Sequence, residues 1–88
     1  MKYQWDDAKA ATNLAKHGVP FDIITGFDWQ TALIDPDQRR VYGELRWQAL
    51  GIIGARLYAF VFTVRGDTIR VISLRKANAR EQRRFDHG

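Results

Sequence analysis

The chain has 88 residues, 45% of them hydrophobic and 12% aromatic, with no cysteine and a formal net charge of +4. That length accommodates one hydrophobic core, expected as a single domain over residues 1–88, and the missing thiols exclude a disulfide framework and a thiolate metal centre. The opening MKYQWDDAKAA lacks the apolar run of a signal peptide, and no segment reaches the roughly 18 apolar residues of a membrane span, so a cytoplasmic protein is expected.

Tyr3 to Trp5 read as a short first strand. Asp6 is suited to cap a helix running to about His17, with Asp7 in the first turn, where the helix dipole favours acid, and Gly18 at the left-handed C′ position. At about 100° per residue, Ala8, Ala10, Ala11, Leu14 and Ala15 fall on one side of this helix and Lys9, Asn13 and Lys16 on the other. A small-residue face laid against a sheet is therefore predicted. Pro20 suits the first turn of a second short helix, PFDIIT, which Gly26 ends. WQTALID reads as a strand stopped by the turn Asp35-Pro36-Asp37.

ELRWQALGII alternates Leu45, Trp47 and Ala49 against Arg46 and Gln48, the pattern of a half-buried strand, with Gly51 and Gly54 marking a bulge or turn. RLYAFVFTVR is aromatic and β-branched throughout, as expected of a central strand, and Arg65-Gly66-Asp67-Thr68 forms a tight hairpin into TIRVISLR. Asn78 and Glu81 have capping-box spacing, so a final helix starts at about Ala79. The expected fold class is α+β: a small, mainly antiparallel sheet with two N-terminal helices and one C-terminal helix, in the order β-α-α-β-β-β-β-α.

Charge is unevenly distributed. Residues 1–64 hold seven Lys or Arg and seven Asp or Glu, whereas residues 65–88 hold seven Lys or Arg against Asp67, Glu81 and Asp86. Such a cluster attracts a polyanion or an acidic partner, and it also serves as a solvated face. With Gly66-Asp67 as a two-residue loop, Arg65 lies opposite Thr68 and Arg70 opposite Thr63, which makes the two arginines diagonal neighbours. Continued without interruption, that register sets Arg75 opposite Tyr58 on the other face, so no single pocket holds all three. A bulge or a longer loop changes this. In the final helix Arg80, Arg83 and Arg84 form a cationic stripe. Like charges at this spacing weaken an isolated helix by roughly 0.2–0.5 kcal/mol per pair, a cost easier to understand if something negative binds. Arginine suits bidentate phosphate contacts and stays charged when partly dehydrated.

His17 has two readings: a cation near a helix C-terminus, like Lys16, or a general acid or base for RNA cleavage, since imidazole titrates near working pH. Lys9 is likewise either a solvated lysine or a positioned cation. The acids are scattered and no His pair has ligand spacing, so neither a metal site nor a cofactor is expected. A Gly-rich phosphate loop followed by Lys-Ser/Thr is also missing.

WDDAKAATNLAKHGVPF, from Trp5 to Phe21, resembles the opening of the BrnT-like toxins, W-D-x-x-K-x-x-x-N-x-x-K-H-G-V-x-F. YGELRWQALG, with Gly43-Glu44 and Arg46, resembles their middle segment. RGDTIRVISLRKANAREQRRF resembles their end, where an R-G-D-x-I-R-x-I-S-x-R strand pair precedes an Arg/Glu-rich helix. The resemblance covers about residues 5–85. It departs at Leu74, where Ala is common, at Phe85, where Tyr is common, and in a longer connector around residues 35–40.

The resemblance implies a type II toxin of RelE/ParE-like fold, an endoribonuclease that cuts RNA and arrests translation. It also implies a co-encoded BrnA-like antitoxin of the ribbon-helix-helix kind, which neutralises the toxin and binds operator DNA in complex with it. Carried over by position, Lys9, Arg65 and Arg75 are the implied site residues, joined by His17 from the Lys-His-Gly motif. Arg70, Lys76, Arg80, Arg83 and Arg84 are expected to guide RNA. Such an enzyme uses the 2′-hydroxyl as internal nucleophile and needs no metal, fixed cations stabilising the extra charge of the pentacoordinate phosphate. The proton acceptor is left among Lys9, if its pKa is lowered, Asp22 and Glu44. Two rivals draw on the same basic surface: a non-catalytic nucleic-acid-binding module and a partner-docking module.

Overall fold

The computed structural model describes residues 1–39 and 43–88, so position 40, at the end of the long connector, lies outside the described residues. In chain order the elements are β1 (Lys2–Gln4), α1 (Asp7–His17), a 3-10 helix (Phe21–Gly26), β2 (Leu33–Pro36), β3 (Trp47–Ile53), β4 (Arg56–Arg65), β5 (Thr68–Lys76) and α2 (Ala79–Asp86). No helix among the described residues is long and apolar enough to cross a membrane.

The strands form one sheet in the order β1-β5-β4-β3-β2. Successive pairs from β2 to β5 are antiparallel, but β1 runs parallel to β5, with Lys2 beside Thr68 and Gln4 beside Arg70. The sheet is therefore mixed. Nothing local in MKYQW distinguishes a parallel from an antiparallel partner, since the choice rests on a strand far along the chain.

The second helix is a 3-10 turn rather than an α-helix. Six residues between Pro20 and Phe27, three of them β-branched, leave little room for an i→i+4 ladder. The tighter turn stacks Phe21 and Ile24, three residues apart and 2% and 0% exposed, onto the core. The strand expected over WQTALID begins only at Leu33. Before it, the Asp28 carboxylate accepts from the Gln30 backbone N–H at 3.0 Å and the Thr31 hydroxyl at 2.7 Å, folding Trp29 to Thr31 into a turn. Pro36 ends β2 as part of the strand, tolerated because β2 is a sheet edge. Gly51 marks neither bulge nor turn: it lies inside β3, where the Phe27 ring sits so close that a Cβ would meet Phe27 Cζ at 2.3 Å.

α1 is capped as expected, the Asp6 carboxylate accepting from Ala8 N–H at 2.7 Å and Gly18 closing the helix at φ 69°. Its inward face is different. Leu14 is 50% exposed, while Asn13 is 6% exposed and flanked on the same side by half-buried Ala10 and His17. The Asn13 amide donates to Leu74 O at 2.7 Å and Val19 O at 3.0 Å, and its carbonyl accepts from Leu74 N–H at 3.2 Å. β1 pairs with β5 only as far as Arg70, and beyond it Asn13 takes the place of a neighbouring strand. These three hydrogen bonds outweigh the apolar side of the helix, which is made mostly of alanines with little area to bury.

One face of the sheet carries the core, where Phe60, Phe62, Val71 and Leu74 meet Val19, Phe21, Ile24 and Phe27. The other face is set by the register of β5 on β4. Arg65 pairs with Thr68 and Thr63 with Arg70, as read from the hairpin. Between the pairs Phe62–Val71 and Val61–Ser73 one extra residue, Ile72, is inserted into β5 as a β-bulge. Tyr58 consequently pairs with Lys76 and Ala59 with Arg75, which reverses the expected facing of Arg75. Arg65, Arg70, Ser73 and Arg75 all lie on the face opposite the core.

Candidate functional site

The bulge is where the chemistry-bearing side chains gather. On one flank, α2 is tied to the sheet by ion pairs, with none of its residues fully buried. Arg75 donates from Nη1 and Nη2 to the two carboxylate oxygens of Glu81, both at 2.8 Å, a bidentate pair with side chains 35% and 22% exposed. Glu81 also accepts from the Asn78 backbone N–H at 2.9 Å while Asn78 Oδ1 accepts from Glu81 N–H at 2.8 Å, completing the capping box. Arg84 pairs with Asp35.

Arg39, Gln48, Ser73, Arg75, Glu81 and Arg84 line a depression of about 80 Å³. Its rim is stiffened by Asp37, whose carboxylate is fully enclosed. It accepts from Arg39 Nε at 2.8 Å, Arg39 Nη2 at 2.9 Å and Gln48 Nε2 at 3.0 Å. A buried carboxylate so supplied with donors offsets much of its desolvation.

On the other flank, Lys9, Thr12, Lys16 and His17 of α1 form a groove of about 330 Å³ against Ile72 and Ser73. Ser73 borders both hollows. The His17 imidazole is held below its usual pKa of 6.5, first by burial, then by the charges of Lys16 and Arg75. Neutral imidazole is the favoured form at neutral pH. The Arg75 guanidinium is pushed up, mainly by its hydrogen bonds to Glu81, and Glu81 is correspondingly held below 4.5, chiefly by Arg75.

Of the residues expected from sequence, Lys9, His17 and Arg75 thus converge on the bulge. Arg65 and Arg70 share its face but stand along the strand. Ala59 pairs with Arg75 and Thr63 with Arg70. At ~3.3 Å per strand residue, Arg65 is about 20 Å and Arg70 about 13 Å from Arg75. Arg65 pairs with Glu44 at 3.6 Å, so Glu44 belongs to the hairpin end, and Asp22 is exposed on the 3-10 helix. Lys76 pairs with Tyr58 and so points to the core side of the sheet. The stripe on α2 divides: Arg84 turns to Asp35, while Arg80 and Arg83 are exposed without an ion pair among the described residues.

Sequence reasoning missed Glu81 as a partner of Arg75, having assigned it only to the helix cap. It also passed over Ser73, Arg39 and Gln48. The signal for Ser73 was its fixed place two residues before Arg75; Arg39 and Gln48 carried none. Among the described residues no group of three His, Asp or Glu side chains is arranged to hold a metal ion.

Residues 5–81 match the model of a family described as the ribonuclease toxin BrnT of type II toxin–antitoxin systems. No curated protein matches the chain.

Proposed function

Since the chain belongs to the BrnT family of ribonuclease toxins, whose type II systems pair each toxin with an antitoxin, we propose that it is a metal-independent endoribonuclease of RelE-like kind. In this reading it acts in the cytoplasm and cuts RNA to arrest translation until a BrnA-like, ribbon-helix-helix antitoxin neutralises it. The observation that carries the reading is the bulge at Ile72, which turns Ser73 and Arg75 to the floor between the α1 cations and the α2 carboxylate.

The scissile phosphate lies over Ser73. The 2′-oxygen attacks phosphorus, its proton passes to the neutral imidazole of His17, and the P–O5′ bond breaks as the departing 5′-oxygen takes a proton from solvent water. A 2′,3′-cyclic phosphate and a 5′-hydroxyl end are left. Arg75 donates to the non-bridging oxygens as negative charge grows on them, and Lys9 adds a cation on the α1 side. Glu81 acts through Arg75 as a positioning residue, fixing the plane of the guanidinium. Arg70 and Arg65 continue the basic row toward the hairpin, and Arg80, Arg83 and Arg84 contribute from α2, a layout that suits an extended single strand. Lys76, turned to the other side of the sheet, lies off this track.

The test is cleavage of purified RNA by the isolated chain in excess EDTA, with end-group analysis. Parent protein is expected to leave cyclic phosphate ends, and Arg75→Ala to lose about 100-fold or more in rate, the scale of a lost charge-stabilising donor. RNA bound but left intact would instead favour a non-catalytic nucleic-acid-binding module.

A further inference from the structure

A wide cleft lies apart from this chemistry. On the core side of the sheet, Val19, Phe21, Ile24 and Phe27 cover the centre and leave the hairpin end open. There Trp29, Ile34, Trp47, Phe62, Val64 and Ile69 line a cleft of about 750 Å³, with Glu44, Leu45 and Arg65 among the residues at its margin. Trp47 pairs with Phe62 and Val64 with Ile69, so the strands present these side chains together. Three apolar side chains of the cleft stand in solvent: Leu45 is 60% exposed, Val64 48% and Ile34 43%. Leu45 is fixed there, its carbonyl accepting from the buried Thr63 hydroxyl at 2.8 Å. A continuous apolar surface held open on a small, strongly charged protein marks a site of association.

We propose that this cleft receives an amphipathic, acid-flanked helix of the antitoxin. The inference rests on the toxin reading above and assigns the antitoxin its anchor. Two features select the occupant. The neighbouring sheet edge, β2, is four residues long and ends in Pro36, a poor template for an added strand, so a helix suits the cleft better. Charge selects acid: Arg65 at the margin is 55% exposed and is held by Glu44 only at 3.6 Å, and all the excess positive charge of the chain lies in residues 65–88. Continuity supplies the inhibition. Arg65 borders the cleft and also begins the basic row that leads along β4 and β5 to Arg75, so carboxylates on the docked helix close the RNA track at that end. The anchor and the cleavage centre are separate surfaces.

That separation gives the test. Leu45→Glu and Val64→Glu change exposed positions outside the proposed catalytic centre, and unchanged thermal unfolding verifies that each folds. Binding of the co-encoded antitoxin is measured by calorimetry, and RNA cleavage is followed as antitoxin is titrated in. Both variants are expected to cut RNA within about twofold of the parent while binding antitoxin at least 100-fold more weakly. Val64→Ile should bind like the parent. Antitoxin affinity unchanged in both glutamate variants overturns the proposal. So does a parent chain that sediments as a dimer which Val64→Glu dissociates, since the cleft then belongs to a second copy. Should the parent not cut RNA at all, the ribonuclease reading fails, and calorimetry still decides where the antitoxin binds.

Discussion

Replacing Asn13 by alanine tests how α1 is joined to the sheet. The substitution removes a side chain that is 6% exposed and leaves three backbone groups without partners: the carbonyls of Val19 and Leu74 and the N–H of Leu74. Each unpaired buried group costs about 1–3 kcal/mol, and the adjoining groove admits some water, which holds the total near the lower bound of about 3 kcal/mol. That is a large share of the ~5–15 kcal/mol that stabilises a typical domain. At ~4–8 °C per kcal/mol for this size, the midpoint of thermal unfolding should fall by about 12–24 °C. Asn13→Asp keeps the acceptor for Leu74 N–H but turns a carboxylate oxygen toward two carbonyls, so it should destabilise at least as much at neutral pH. Urea denaturation followed by circular dichroism measures both variants. A loss below about 1 kcal/mol in Asn13→Ala would show that these hydrogen bonds do not hold the helix, and the argument for α1 as a wall of the site would fail with it.

Gly51→Ala should cost about 1–3 kcal/mol by chemical denaturation, because its methyl group would overlap the Phe27 ring in the core; a neutral result would mean that the ring moves aside freely. Arg75→Ala should raise the His17 pKa toward 6.5, since Arg75 is one of three influences lowering it, and an NMR titration indistinguishable from the parent would deny their proximity. The Glu81 carboxyl, held below 4.5 when folded, makes the unfolded chain the first to bind a proton as pH falls. Stability from the Arg75–Glu81 pair is therefore present above about pH 4.5 and lost as pH falls through the lower folded value. Glu81→Gln should flatten that acid limb in urea unfolding at graded pH, and the same limb in both proteins would refute the assignment. In the RNA assay Glu81→Gln should lower kcat far more than it changes KM, as expected of a residue that orients Arg75 without touching substrate.

Local signals were readable in the sequence. Asp6, Gly18, Gly66 and the Asn78–Glu81 box each act within a few residues of themselves, and each element boundary they mark is present. What was not readable depends on partners distant in the chain. The facing of Arg75 hung on one inserted residue, and Ile72 has the same β-branched character as Val71 before it, so nothing in RVISLR announces a bulge. Asn13 looked like a solvent residue because periodicity weighs apolar area, not hydrogen bonds to a strand many residues away. Gly51 read as punctuation, whereas its role is set by a phenylalanine that reaches it from another element. The site followed the same rule. The identities of Lys9, His17 and Arg75 were legible through motif, while their grouping, and the recruitment of Glu81, emerged only from the register.

The pairing of β1 and α1 with β5 also dictates when the molecule becomes whole. Both N-terminal elements make their sheet contacts with residues 68–74, so neither has a strand to join until β5 has been made. Contacts of such long sequence separation form late, after the loop-closure cost has been met. A growing chain on the ribosome that carries Lys9 and His17 before β5 is made has no Ser73 or Arg75 to set against them. Synthesis itself thus keeps the groove unassembled until β5 has been made.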